Sequence, residues 1–144
     1  MIGCDMATSP EEFIEANRAV MAEVHRQLGF RIISIDEERA VSEMGRSPFS
    51  TLGEFYAGPA LMAFVEHAAG ILPSYVGFTG DTTAPPLSIC TQMSVSIISN
   101  STADRLQAET IWTSRRRRLS VVETRVVDPS GRLVISASSS HMPL

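Results

Sequence analysis

Gly58-Pro59-Ala60-Leu61-Met62-Ala63-Phe64-Val65-Glu66-His67-Ala68-Ala69-Gly70-Ile71-Leu72 reads as one helix. Pro59 suits the first helical turn, where a missing N–H costs no bond and φ is already helical. Pro73 marks the expected end, since proline removes an interior hydrogen bond. Nearly every side chain between the two prolines is apolar, and a helix without a polar face is a buried helix. The stretch is too short for a membrane span, which needs about 20 residues. Two polar side chains interrupt it, Glu66 and His67. A buried carboxylate needs a partner or takes a shifted pKa, because an unpaired buried charge is very costly. Glu66 is therefore the first residue to explain.

Before this helix, Ser9-Pro10-Glu11-Glu12 has the pattern of a helix start: a capping serine, proline at the first position, and glutamate three residues after the cap. The helix is expected to run to Leu28, with Gly29 as its C-terminal cap. Phe13, Ile14, Val20, Met21, Val24 and Leu28 give it an apolar side. Phe30 to Ile35 and Arg39 to Met44 read as strands joined by an Asp36-Glu37-Glu38 turn. Gly45 to Tyr56 reads as a loop into the central helix.

After Pro73, the stretch Ser74 to Pro86 is rich in Gly, Thr and Pro and reads as a long connection, a length that often carries function. Its Tyr75, Phe78 and Asp81 are candidates for shaping a pocket. Leu87, Ile89, Thr91, Met93, Val95 and Ile97 then alternate with Ser88, Cys90, Gln92, Ser94 and Ser96, a clear strand pattern. Asn100-Ser101-Thr102-Ala103 makes a turn, and Leu106, Ala108, Thr110 and Trp112 alternate again. A run of four arginines, 115–118, precedes a strand from Leu119 to Val127. Asp128-Pro129-Ser130-Gly131 is a strong turn signal, and Arg132 to His141 reads as the last strand.

The order predicts an α+β layer fold, in which an antiparallel sheet, a meander of three or four strands after the long connection, wraps one long buried central helix. An extra N-terminal helix precedes it. A flexible tail, 1–8, leads into a single domain, 9–144. One curved sheet covers only one side of an apolar helix. Loops, the N-terminal helix or a second copy of the chain must cover the rest, which is a physical reason to expect a dimer.

Composition excludes several classes. The chain has 144 residues, is 44% hydrophobic and 19% charged, and carries a net charge of −4. That is ordinary globular material with no basic field for nucleic acid. Cys4 and Cys90 lie far apart, so neither a disulfide framework nor a cysteine metal site is expected. The opening residues lack the basic and apolar stretches of a signal peptide, so a cytoplasmic protein is expected.

Gly58, Glu66 eight residues later, Arg117-Arg118, the strand 119–127 and Asp128-Pro129-Ser130-Gly131-Arg132-Leu133-Val134 stand in a definite order and spacing. In these features the chain resembles the hotdog-fold acyl-CoA thioesterases of the phenylacetate-pathway and 4-hydroxybenzoyl-CoA type. That family opens its central helix with His-Gly-Gly and places an acidic residue eight positions after the first glycine. The resemblance extends over roughly residues 30–141. Three positions depart from the pattern: Ala57 stands for the histidine, Pro59 for the second glycine, and Gly70 for a Ser or Thr found in some members.

The resemblance implies hydrolysis of an acyl-CoA thioester at a dimer interface, in a homodimer or a dimer of dimers. No metal or other cofactor is implied. Such hydrolysis needs a donor for the negative charge that grows on the carbonyl oxygen, which a helix N-terminal N–H supplies well. It also needs a carboxylate that deprotonates water or attacks the carbonyl. Gly58 N–H and Glu66 fit these roles. Eight helical residues advance about 12 Å, so one carbonyl cannot meet both groups of one chain. If both act, Gly58 of one copy faces Glu66 of another.

Other polar residues have plainer readings beside sharper ones. Arg115 to Arg118 fit a solvated strand end, or, in Arg116, Arg117 and Arg118, a clamp for the phosphates of coenzyme A. Gln92 and Ser94 face either solvent or the substrate cleft. His67 lies about 100° around the helix from Glu66 and reads as a core or interface histidine. His25 and His141 read as structural or exposed, and Met62, Phe64 and Met93 as core. The rival to an esterase is a hotdog protein that binds an acyl ligand without turnover, a reading favoured by Ala57 and Gly70. A hotdog dehydratase ranks lower, because Ala57 leaves no histidine where one is expected.

Overall fold

The computed structural model of the protein describes residues 8–78 and 87–143. The expected N-terminal capping box is present: Glu12 N–H donates to Ser9 Oγ and Ser9 N–H to the Glu12 carboxylate, both at 3.2 Å. The single helix expected here is two, α1 (Pro10–Val20) and α2 (Ala22–Leu28). The break is at Met21, which leaves helical angles at φ −106° and ψ 28°. Gly29 closes α2 at φ 58°, a left-handed angle that favours glycine, and packs against the Gly45 backbone.

Strands β1 (Arg31–Ile35) and β2 (Arg39–Gly45) follow as expected. The stretch read as a loop holds a small hairpin, β3 (Thr51–Leu52) and β4 (Phe55–Tyr56). The central helix α3 runs Gly58–Val76. The expected stop at Pro73 is wrong, and the residues beyond it explain why. Tyr75 and Phe78 pack edge-on against Phe13 of α1, with ring centroids 5.3 and 5.5 Å away. That aromatic cluster and the buried Ser74 offset the bond that the proline deletes. Asp81 and the rest of the expected connection from 79 to 86, like Cys4, lie outside the described residues.

The remaining strands are β5 (Ser88–Ile97), β6 (Arg105–Ser114), β7 (Ser120–Val127) and β8 (Leu133–Pro143). They join β1 and β2 in one antiparallel sheet ordered β1-β2-β6-β7-β8-β5. A simple meander was expected here, with β5 beside β6. Instead β5 crosses to the far edge and pairs only with β8 among the described strands. The sheet curls around α3. Phe64, Val65, Leu61 and Leu72 are at most 1% exposed and pack with Leu106, Val126 and Ile135 from the strands. Thr110 also ties the layers together, donating from its hydroxyl to Ala68 O at 3.1 Å. Among the described residues, no helix is long and apolar enough to cross a membrane.

One expectation about α3 is only partly met. The sheet packs along α3, and Phe13 of α1 and His25 of α2 touch it, but Gly58, Pro59, Met62 and Glu66 are exposed and Gly70 and Pro73 half-exposed. Their three- and four-residue spacing makes one stripe along the helix. The described residues leave that stripe uncovered.

Candidate active site

The stripe begins at the N-terminus of α3. Ala57 caps the helix without a side-chain bond, and Pro59 has no N–H to offer. Gly58 N–H has no hydrogen-bond partner among the described residues. With the helix dipole behind it, this donor is suited to an anionic oxygen. A side chain is sterically possible there, since a Cβ on Gly58 would meet nothing within 4 Å.

Glu66 lies two turns further along the same stripe. Solvent reaches its side chain, yet the surrounding protein raises its carboxyl pKa above the ordinary value by desolvation. No ion pair or hydrogen bond of the Glu66 carboxylate is found among the described residues. A carboxylate with a raised pKa and no partner is suited to accept a proton. Glu66 opens onto a cleft of about 230 Å³ between α3, α1 and the start of β5, walled by Asn17, His67, Gly70, Ser74 and Ser88. The Cys90 thiol on β5 lies near enough that Glu66 helps raise its pKa, after burial.

His67 is core-like, as read, but it has a partner that the sequence did not suggest. His25 of α2 sits with its Nε2 3.3 Å from His67 Nε2 and 2.9 Å from Asn17 Oδ1. Phe30 packs against both rings, tilted against His25 at 4.8 Å and edge-on to His67 at 4.4 Å. Burial, and next the neighbouring His25, push the His67 pKa down to about 4. These residues are far apart in sequence and no spacing rule joins them. Only the turn at Met21, which swings α2 onto α3, brings them together.

A second cavity, of about 470 Å³, lies at the C-terminal end of α3. It shares Ser74, Leu87 and Ser88 with the Glu66 cleft, so the two adjoin. Arg115, Arg116 and Arg117 border it, with Trp112, Ser120 and His141. Arg115 to Arg118 form the exposed turn between β6 and β7 rather than a strand end. Arg118 does not line the cavity and Arg115 does, because the turn breaks the alternation a strand would impose. No carboxylate pairs with these four guanidinium groups among the described residues. Arg115 lies over the Trp112 ring, 5.3 Å from its centre. His141 is buried, not exposed: its Nε2 lies 2.9 Å from Ser139 Oγ, and its Nδ1 has no partner among the described residues.

Gln92 and Ser94 are not part of either cavity. They pair with Ser140 and Ser138 and share the outward side of the sheet. A bulge at Thr91, between Cys90 and Gln92, shifts the phase of β5, so Cys90, Met93 and Val95 take the inner side. No group of three or more metal-ligating side chains occurs among the described residues.

No protein-family model matches the chain, and no curated protein matches it by sequence. Solved structures do match. The PaaI protein of the phenylacetic acid degradation operon of E. coli is 16% identical, with a TM-score of 0.77 over 95% of this chain and 96% of that one. A thioesterase from Haemophilus influenzae is 11% identical, with a TM-score of 0.76 over 91% of this chain and 90% of that one. A hypothetical thioesterase from Streptococcus pneumoniae, solved with coenzyme A, is 14% identical, with a TM-score of 0.69 over 86% of this chain and 96% of that one. Identities this low speak for the fold alone. The chain has the α+β hotdog fold of these thioesterases, with an N-terminal helical addition.

Proposed function

We propose that the protein hydrolyses an acyl-CoA thioester at a site completed by a second copy of the chain. One observation carries this reading: Gly58 N–H and Glu66 lie on the stripe of α3 that the described residues leave uncovered. They stand about 12 Å apart along the helix. A two-fold partner laying its own α3 antiparallel on the stripe sets the Gly58 of each chain against the Glu66 of the other. Glu66 then takes a proton from water as the oxygen attacks the carbonyl carbon. Gly58 N–H stabilises the charge that develops on the carbonyl oxygen, the C–S bond breaks, and the departing sulfur takes the proton held by Glu66, releasing thiol and acid. Direct attack by the Glu66 carboxylate is the alternative first step: the C–S bond breaks, the thiolate leaves, and water then opens the resulting anhydride to free acid and Glu66.

The arginine turn is proposed to hold the phosphate end of the carrier. Unpaired guanidinium groups beside a cavity that adjoins the Glu66 cleft favour that role. Arg116 and Arg117 border the cavity, Arg115 joins them, and Arg118 stands outside its wall. The coenzyme A bound to the Streptococcus pneumoniae neighbour is in keeping with this carrier. Gln92 and Ser94, on the outer face, keep a part only if the carrier extends across the sheet edge.

The test is thiol release from short, medium, long and aryl acyl-CoAs, with Glu66→Gln measured in parallel. Turnover in the wild type should fall roughly 100-fold or more in the variant, the range for loss of a general base, while ligand affinity holds. The rival is a binder of acyl-CoA without turnover, favoured by Ala57 and Gly70, where related enzymes carry polar side chains. Tight binding with no release from any substrate establishes the rival instead.

A further inference from the structure

We infer that Asn100, in the turn between β5 and β6, is a positioning residue for the Gly58 N–H donor; this rests on the hydrolytic reading given above. Tyr56 ends β4, two residues before Gly58. The Asn100 side chain holds both sides of the Tyr56 residue. Its Oδ1 accepts from Tyr56 N–H at 3.2 Å, and its Nδ2 donates to Tyr56 O at 2.9 Å. The side chain thus pairs with Tyr56 as a neighbouring strand would, where the two-residue β4 has only β3 beside it among the described strands.

Asn100 is itself fixed. Its Oδ1 also accepts from Ser101 N–H at 2.8 Å, and its carbonyl accepts from the Arg132 guanidinium. Tyr56 is held a second time through its hydroxyl, which donates to Ala103 O at 2.9 Å. Both anchors for Tyr56 therefore come from one turn of the sheet. The next residue, Ala57, donates to Ser50 O at 2.8 Å and accepts from Leu61 N–H at 3.0 Å as the cap of α3. The path from the sheet to the donor is short and bonded at each step: Arg132, Asn100, Tyr56, Ala57, Gly58.

The arrangement answers a need particular to this helix. Ala57 has no polar side chain, so the first turn of α3 lacks a side-chain cap. A donor aimed at an oxyanion must be set before the reaction, because a misplaced one forfeits its stabilisation of the transition state. Asn100 supplies that setting from outside, 44 residues away in sequence.

Asn100→Ala and Asn100→Asp test this. Asp keeps the acceptor and loses the donor to Tyr56 O, which guards against an Ala variant that fails to fold. Two readouts are needed. In amide hydrogen exchange on the folded variants, Ala57 N–H should exchange at least tenfold faster. Ala57 bonds Ser50 and not Asn100, so this reports the cap and not the deleted bond. The Gly58 amide resonance should move, while amides in the second half of α3 stay. In the thiol-release assay, kcat should fall on the order of tenfold with KM within twofold, as expected for a donor displaced rather than removed. Unchanged Ala57 exchange and Gly58 resonance in a folded variant overturn the inference, as does a changed donor with unchanged kcat. If the wild type releases no thiol, the hydrolytic reading fails by itself, and the exchange and resonance data alone decide whether Asn100 sets the N-terminus of α3.

Discussion

At Glu66, function and stability pull in opposite directions. Its carboxyl pKa is raised by desolvation, so folding disfavours the ionised form that a base must have. For an acid whose folded pKa lies above the unfolded one, stability falls as pH rises through the interval between them. Glu66→Gln should therefore raise the melting midpoint at pH 7 and leave it unchanged near pH 3, even as it removes turnover. The same shift moves the acid limb of the kcat/KM profile upward from the ordinary carboxylate value. His67 works the other way. It is held neutral, with a pKa lowered to about 4 by burial and by His25. An unfolded imidazole titrates near 6.5, so the fold should keep its full stability above that pH and lose it as pH falls towards about 4. His67→Gln should flatten this slope in melts at stepped pH, though His25 and His141, also lowered by burial, keep it from vanishing. Glu66 and Gly58 could be picked out in the sequence because they interrupt or open an apolar helix. His25 and Asn17 could not, since Asn17 on α1 meets His25 across the break at Met21, and only the packing of α2 on α3 brings His25 to His67.

Within α3, apolar composition identified the element but not its end or its coverage. Phe64 is fully buried where helix and sheet meet, and Phe64→Ala should cost about 3–5 kcal/mol in denaturant unfolding. Pro73 is an exception to a sound rule, because aromatic packing two and five residues later outweighs one lost bond. Pro73→Ala restores the N–H while loosening the unfolded chain, and should stabilise the protein by about 2 kcal/mol. The capping box of α1 was legible because its chemistry is local. The break at Met21 and the partner of β5 were not. Alternation marks a strand and its faces, and says nothing of which strand lies beside it.

For the whole molecule, the proposed site predicts an obligate assembly. The exposed Met62 on the α3 stripe, and Ile89 and Ile97 on the β5 edge, are 42%, 46% and 49% exposed in one chain. Apolar side chains on an unpaired edge strand invite a partner. Met62→Asp should weaken self-association in sedimentation and make turnover depend on protein concentration. A sharper check uses two inactive variants. Gly58→Pro removes the N–H at a position with room for a side chain, and Glu66→Gln removes the base. Unfolded and refolded together in equal amounts, they should recover about a quarter of wild-type turnover, from the one intact site in each mixed dimer. No recovery would place both groups in one chain, against the helix geometry.

The crossing of β5 also orders the assembly of the chain. β5 finds its partner in β8, whose pairing residues run from Ile135 to Pro143. On a ribosome, β5 emerges and must wait for some forty further residues before its hydrogen bonds can close. Until then a strand rich in Ile, Val and Met is open to wrong pairings. A chain cut before residue 133 loses two ladders at once, β5 with β8 and β7 with β8. Synthesis rate and the integrity of the last eleven-residue strand should therefore govern soluble yield more than any single core substitution.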